Sequence, residues 1–154
     1  MTSENFLKRK LVTPLLNYLK QGISPEKLAL AVVLGMSIAT IPVFGSSTIL
    51  CLTAVYIFKL NLPAILLVNN FAYPLQFALY IPFMKMGDRL FNSSFFQFTI
   101  SEVFEMFKNN IWNAILSLWW ATMHALVAWM IIIVPLSFIL YFIIVPLFKK
   151  LSLK

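Results

Sequence analysis

The sequence predicts an all-α integral membrane protein built from broken, re-entrant helical hairpins, a C-terminal transmembrane helix and amphipathic interfacial helices. Three observations carry this expectation. Hydrophobic residues make up 61% of the 154 residues and charged residues only 11%, too few to solvate a soluble surface of this size. The apolar residues fall in long uncharged runs, Leu28–Phe58, Leu60–Met84 and Ile111–Phe148, each of membrane-spanning length or longer. The first two runs are interrupted in their middles by Pro, Gly and small polar residues, Thr40-Ile41-Pro42-Val43-Phe44-Gly45-Ser46-Ser47 and Asn69-Asn70-Phe71-Ala72-Tyr73-Pro74.

The net charge of +7 raises the question of nucleic acid. The cations lie at the two ends and in short connections, without a basic face carrying base-stacking aromatics, so nucleic acid is not the expected partner. Membrane lipids with anionic headgroups are. The chain divides into a basic N-terminal segment (1–21), a core with two interrupted apolar blocks (22–91), an amphipathic interfacial segment (92–110) and a Trp-rich segment leading to the C-terminal transmembrane helix and basic tail (111–154).

Leu7, Leu11, Leu15 and Tyr18 share a helical face with cations beside it, the pattern of a helix lying in the headgroup boundary, which Pro14 would kink or split. Ser24-Pro25-Glu26 opens the next helix: Ser caps it, Pro suits its first position, and Glu complements its dipole. Leu28 to Pro42 covers about 22 Å, short of the roughly 30 Å hydrocarbon core. Either the first block is one long, tilted, kinked helix, or Pro42 and Gly45 reverse it into a re-entrant hairpin. The hairpin is preferred, because one helix over the whole run would reach about 46 Å. Half-helices are therefore expected at Leu28–Ile41 and Ser46–Phe58, with Ser46 or Ser47 capping the second. Gly45 is expected to take a turn conformation and to keep the half-helices close, so that Gly45→Val is severe and Gly22→Val mild.

Pro63 starts the second block, expected as half-helices Ala64–Asn70 and Leu75–Met86 around the polar Asn69-Asn70 and the restart at Tyr73-Pro74. Tyr73, Gln76 and Tyr80 share a face, readable as a substrate face or as interhelical hydrogen bonding. Lys85, Asp88 and Arg89 close the block, either as a headgroup phosphate contact or as a helix end at the interface. Thr99 and Glu102 suggest a capping box before a Phe-rich amphipathic helix. Trp112, Trp119 and Trp120 point to an interface, and one spanning helix is expected near residues 123–147, kinked at Pro135. With cations at both ends, both termini are expected in the cytoplasm and the number of full crossings even.

Ser24-Pro25-Glu26-Lys27-Leu28-Ala29, followed by Gly35, Pro42, Gly45, Asn61, Pro74 and Gly87, resembles the signature of a small integral-membrane family of bacteria whose function is unknown. The resemblance covers roughly residues 22–148. It implies a location in the inner membrane and an architecture; members of that family occur alone or fused to envelope glycosyltransferases. It implies no reaction.

The sequence holds no phosphate-binding loop and no hydrolase or metalloprotease motif. Cys51 is the sole cysteine and His124 the sole histidine; both are expected to be structural. No metal site, cofactor or catalytic residue is assigned, and the chain is not expected to be an enzyme. The candidate substrate-binding or turn residues are Thr40, Pro42, Gly45, Ser46, Ser47, Asn69, Asn70, Tyr73, Pro74 and Gln76, because broken helices meeting inside a bilayer build transport sites. The expected function is a small carrier or handler of lipids and envelope precursors. The alternatives are a scaffold for a glycosyltransferase and a lipid-headgroup enzyme. A second copy of the chain is a further candidate partner.

Overall fold

The computed structural model describes residues 13–20, 22–93 and 108–152, together with Lys10 and Glu105. The described residues are helical apart from their connections: α1 Thr13–Lys20, α2 Pro25–Ala39, α3 Ser47–Phe58, α4 Leu62–Leu90 and α5 Ile111–Ser152. Two of them, α4 and α5, are long and apolar enough to cross a membrane, and the protein buries none of the most apolar stretch of α5.

Pairs of contacts give the directions of the helices. Gly35 of α2 meets Ile65 and Val68 of α4, and further along Ile41 meets Gln76, so α2 and α4 run parallel. Glu26 pairs with Lys149, Ser37 with Ser137 and Thr40 with Trp129, so α5 runs back against α2. Beyond the end of α2, α5 continues along α4, with Gly87 against His124. The core is built mainly where α2, α4 and α5 meet; Leu28, Val33, Cys51 and Ile65 are fully buried or nearly so.

Local chemistry explains most of the boundaries. Ser24 Oγ accepts from Lys27 N (3.4 Å) and Pro25 occupies the first turn of α2. Asn61 Oδ1 accepts from Ala64 N (2.9 Å) at the start of α4, and Asn110 Oδ1 accepts from Trp112 N and Asn113 N at the start of α5. α3 ends on Lys59 in the left-handed conformation, with Leu60 N–H donating to Val55 O, a helix-ending turn usually given to Gly or Asn. In α1, Pro14 sits in the first turn, where it breaks no helical bond, and Leu15 is buried in the core it shares with Leu28.

Four expectations change. The second block is not broken: α4 runs through Asn69, Asn70, Pro74 and Pro82 as one helix of 29 residues. Asn69 turns inward and its Nδ2 donates to Gly35 O (3.3 Å), so the side chain is satisfied across the helix pair while its backbone stays helical. Pro74 removes only the bond to Asn70 O, one bond in a helix of 29 residues. The C-terminal helix runs 42 residues through Pro135 and Pro146, not only 123–147. Ser46 precedes α3 without capping it; its hydroxyl donates to Val43 O (2.9 Å) and holds the turn instead. Gly22 and Gly45 both have positive φ, +86° and +82°, with open space around the Cβ position, so neither keeps helices close and Gly22→Val is as strained as Gly45→Val. The expected half-helices of the first block are present as α2 and α3. The capping box at Thr99 and Glu102, and Leu7 and Leu11 of the N-terminal face, lie outside the described residues.

Candidate functional site

The turn joining α2 to α3 is closed by polar ties. α2 ends with Thr40 N and Ile41 N bonded to Ser37 O and Ile38 O. Just beyond, Ile41 O accepts from Gln76 Nε2 at 2.6 Å. Thr40 Oγ1 donates to Ser37 O and accepts from Trp129 Nε1 (3.1 Å). One ring up, Phe44 lies on Phe77 and Tyr80, at centroid distances of 5.4 and 5.0 Å. Thr40, Pro42, Ser47, Asn69 and Gln76 are buried, Tyr73 and Ser46 half-buried, and Gly45, Asn70 and Pro74 exposed. The structure thus brings Thr40, Pro42 and Gln76 to one place and leaves Asn70 and Pro74 on the outer face of α4. The hydrogen bonds of Thr40 and Gln76 hold a helix end inside the protein, where an unpaired carbonyl would be expensive. Gln76 Oε1 is the one buried side-chain oxygen or nitrogen without a partner among the described residues.

The far ends of α4 and α5 form a second polar cluster. Asp88 is buried, Ser93 Oγ donates to Asp88 Oδ1 (2.9 Å), and His124 Nδ1 lies 3.1 Å from Ser93 Oγ. Since that hydroxyl has one hydrogen, already given to Asp88, Nδ1–H is the donor to Ser93. Phe91 stacks on the imidazole at 4.3 Å. A serine that receives a hydrogen bond from histidine is not activated by it as a base; these contacts tie α5 to the end of α4. Lys85 and Arg89 are exposed beside it. No group of His, Cys, Asp and Glu that could hold a metal occurs among the described residues.

The open site is at the opposite end, at the base of the bundle. A cavity of about 410 Å³ is lined by Gly22, Ile23, Ser24, Lys27, Lys59, Leu60 and Asn61. Three local features converge there: the turn before α2, the first turn of α2, and the corner between α3 and α4. Lys27 and Lys59 are exposed, and among the described residues neither has a carboxylate within salt-bridge distance. The neighbouring ion pair goes to Glu26 and Lys149, 2.8 Å apart; the Lys149 hydrogen bond holds the Glu26 carboxyl below its ordinary range.

The residues that carry the resemblance have places in this frame. Ser24, Pro25 and Asn61 start helices, Gly35 and Gly87 let helices touch, and Gly45 turns the hairpin. The matching family model spans residues 8–154. The chain belongs to the DUF2062 family. That family is described as an uncharacterised protein conserved in bacteria. Neither curated proteins nor solved structures give a match to this DUF2062 chain. Sequence reasoning noticed Ser24, Lys27, Lys59 and Asn61 singly, as a cap, a last charge and a connection. The signal available was that two capped helix starts each carry a lysine within three residues, but only the parallel packing of α2 and α4 brings the pairs together.

Proposed function

We propose that this DUF2062 protein is a bacterial inner-membrane protein with two full crossings, α4 and α5, and a re-entrant α2–α3 hairpin. It handles envelope lipids or lipid-linked precursors by taking their anionic headgroups into the basal cavity. The observation that carries the reading is the open cavity with two unpaired lysines at the charged edge of an uncharged slab. From Asn61 to Lys85, α4 rises about 36 Å, close to the thickness of a hydrocarbon core with its boundary. The tip of the α2–α3 hairpin stands only about 22 Å above the base, so it turns within that slab. The basal edge carries Lys27, Lys59, Lys149 and Lys150 against Glu26. The far edge mixes Lys85 and Arg89 with Asp88. That asymmetry supports a cytoplasmic base and cytoplasmic termini.

The topology is tested by single cysteines in a Cys51→Ala background, labelled in intact cells with a membrane-impermeant reagent. Gly22→Cys and Asn61→Cys should be protected and Asn92→Cys labelled. Opposite labelling of Gly22→Cys and Asn61→Cys would mean the first block crosses completely, and the hairpin reading would fall. Headgroup handling is tested by the lipids retained through mild extraction: anionic lipids should be enriched over the bulk membrane.

A scaffold role beside a glycosyltransferase is favoured by one further observation. His124 is level with Gly87, so the start of α5 extends about 20 Å beyond it, with Ile111, Trp112, Ile115, Leu116 and Trp119 exposed. A co-purifying enzyme lost on changing Trp112 and Ile115 to polar residues would support that role.

A further inference from the structure

We infer that the basal cavity is built for a phosphomonoester headgroup, a doubly charged terminal phosphate on an apolar tail, in preference to the singly charged phosphodiester of common anionic lipids. This rests on the headgroup reading above. Two ammonium groups, Lys27 and Lys59, line one cavity to which no carboxylate contributes. A diester would leave one of them uncompensated, whereas a monoester carries about 1.5 to 2 negative charges at neutral pH.

The remaining polar groups agree. Ser24 Oγ and Asn61 Oδ1 already accept from Lys27 N and Ala64 N. Each can still donate, Ser24 a hydroxyl hydrogen and Asn61 its amide NH₂, and keeps one further lone pair. With the two ammonium groups, all four polar side chains of the lining have a donor to offer the acceptor oxygens of a phosphate. At each helix start the cap takes one amide, Lys27 N or Ala64 N, and a proline, Pro25 or Pro63, has none to offer. On the apolar side, Ile23 and Leu60 complete the wall. Ile57 and Phe58, exposed on α3 immediately before Lys59, give a hydrocarbon tail a surface to follow into the bilayer.

Lys59 also supplies a variant that separates binding from folding. It holds a left-handed backbone, φ 50° and ψ 52°, which Gly adopts more readily. Lys59→Gly therefore removes a charge from the cavity without harming the fold.

The experiment is native mass spectrometry of the full chain in a mild detergent, titrated with phosphatidic acid, phosphatidylglycerol and phosphatidylcholine of identical tails. Inorganic phosphate serves as competitor, and melting temperature is recorded for each variant. Phosphatidic acid should bind about tenfold more tightly than phosphatidylglycerol, the order expected for one added charge at two interfacial lysines. Lys27→Gln and Lys59→Gly should each reduce that ratio severalfold with unchanged melting temperature, while Lys150→Gln, also basal but outside the cavity, should keep it. Equal affinity for the two anionic lipids, both above phosphatidylcholine, would overturn the monoester inference and leave the headgroup reading standing. No preference over phosphatidylcholine, with lysine variants like wild type, would overturn both. Displacement of phosphatidic acid by inorganic phosphate at similar concentration would identify a free anion as the ligand and overturn the lipid source.

Discussion

Gly87→Ala tests the crossing of α4 and α5. A Cβ at Gly87 would stand 2.5 Å from His124 C, 2.7 Å from His124 O and 2.8 Å from Ala125 N. All three are backbone atoms, so no rotamer change relieves the contact. Reaching ordinary contact at 3.4 Å or more requires the helices to part by about 1 Å, and small residues are what allow such close approach in apolar-phase bundles. Overpacking of this kind costs about 1–3 kcal/mol. The same movement stretches the 3.1 Å contact between Ser93 and His124 past hydrogen-bond length, a further loss of about 1 kcal/mol. Against this, Ala in a helix interior is favoured over Gly by up to about 1 kcal/mol. The net expectation is a destabilisation of about 2 kcal/mol, measured as a lowered melting temperature or a shifted unfolding midpoint in one detergent. Gly87→Ala at or above wild-type stability would show that helix propensity alone acts at this position, and would refute the close crossing.

Gln76→Leu leaves Ile41 O without its donor and should cost about 1–2 kcal/mol; Gln76→Glu, which sets a carboxyl against that carbonyl, should be worse in the same melt. Trp129→Phe removes the Nε1–H bond to Thr40 and keeps most of the ring, so about 1 kcal/mol should be lost, and a Thr40→Val, Trp129→Phe double-mutant cycle should show the two coupled. Because the Lys149 bond depresses the Glu26 carboxyl, the pair stabilises the fold above the unfolded carboxylate pKa and fades as pH falls through the folded one. The gap in melting temperature between wild type and Glu26→Gln should therefore be small at neutral pH, shrink with added salt, and vanish in acid; a gap growing toward low pH would refute the pairing. Gly45→Ala and Gly22→Ala should each lose about 1 kcal/mol, since both carry positive φ in open space; a far larger loss at Gly45 would mean the hairpin tip is crowded.

The sequence by itself determined the helical class, the presence of helices long and apolar enough to cross a membrane, the turn between α2 and α3 and several helix starts, because these depend on local quantities. Uncharged length sets whether a helix can lie in lipid. Pro42 with Gly45 ends one helix and turns the chain, and Ser24 and Asn61 cap helices with their own side chains. What only the tertiary structure decided was everything that depends on what a residue meets. Asn69, Asn70 and Pro74 look like a break when the polar side chain has no visible partner. With Gly35 O at hand for Asn69, α4 passes straight through and the expected break is absent. Gly22 and Gly45 looked different in sequence and are alike in space, whereas Gly35 and Gly87 are the glycines at which helices touch. The basal site belongs to the same class. Lys27 and Lys59 lie in separate connections, and they share a cavity because α3 returns the chain to the base and α4 starts there parallel to α2. A charge pattern along the chain records each lysine; only the packing of the helices records that no carboxylate stands between them.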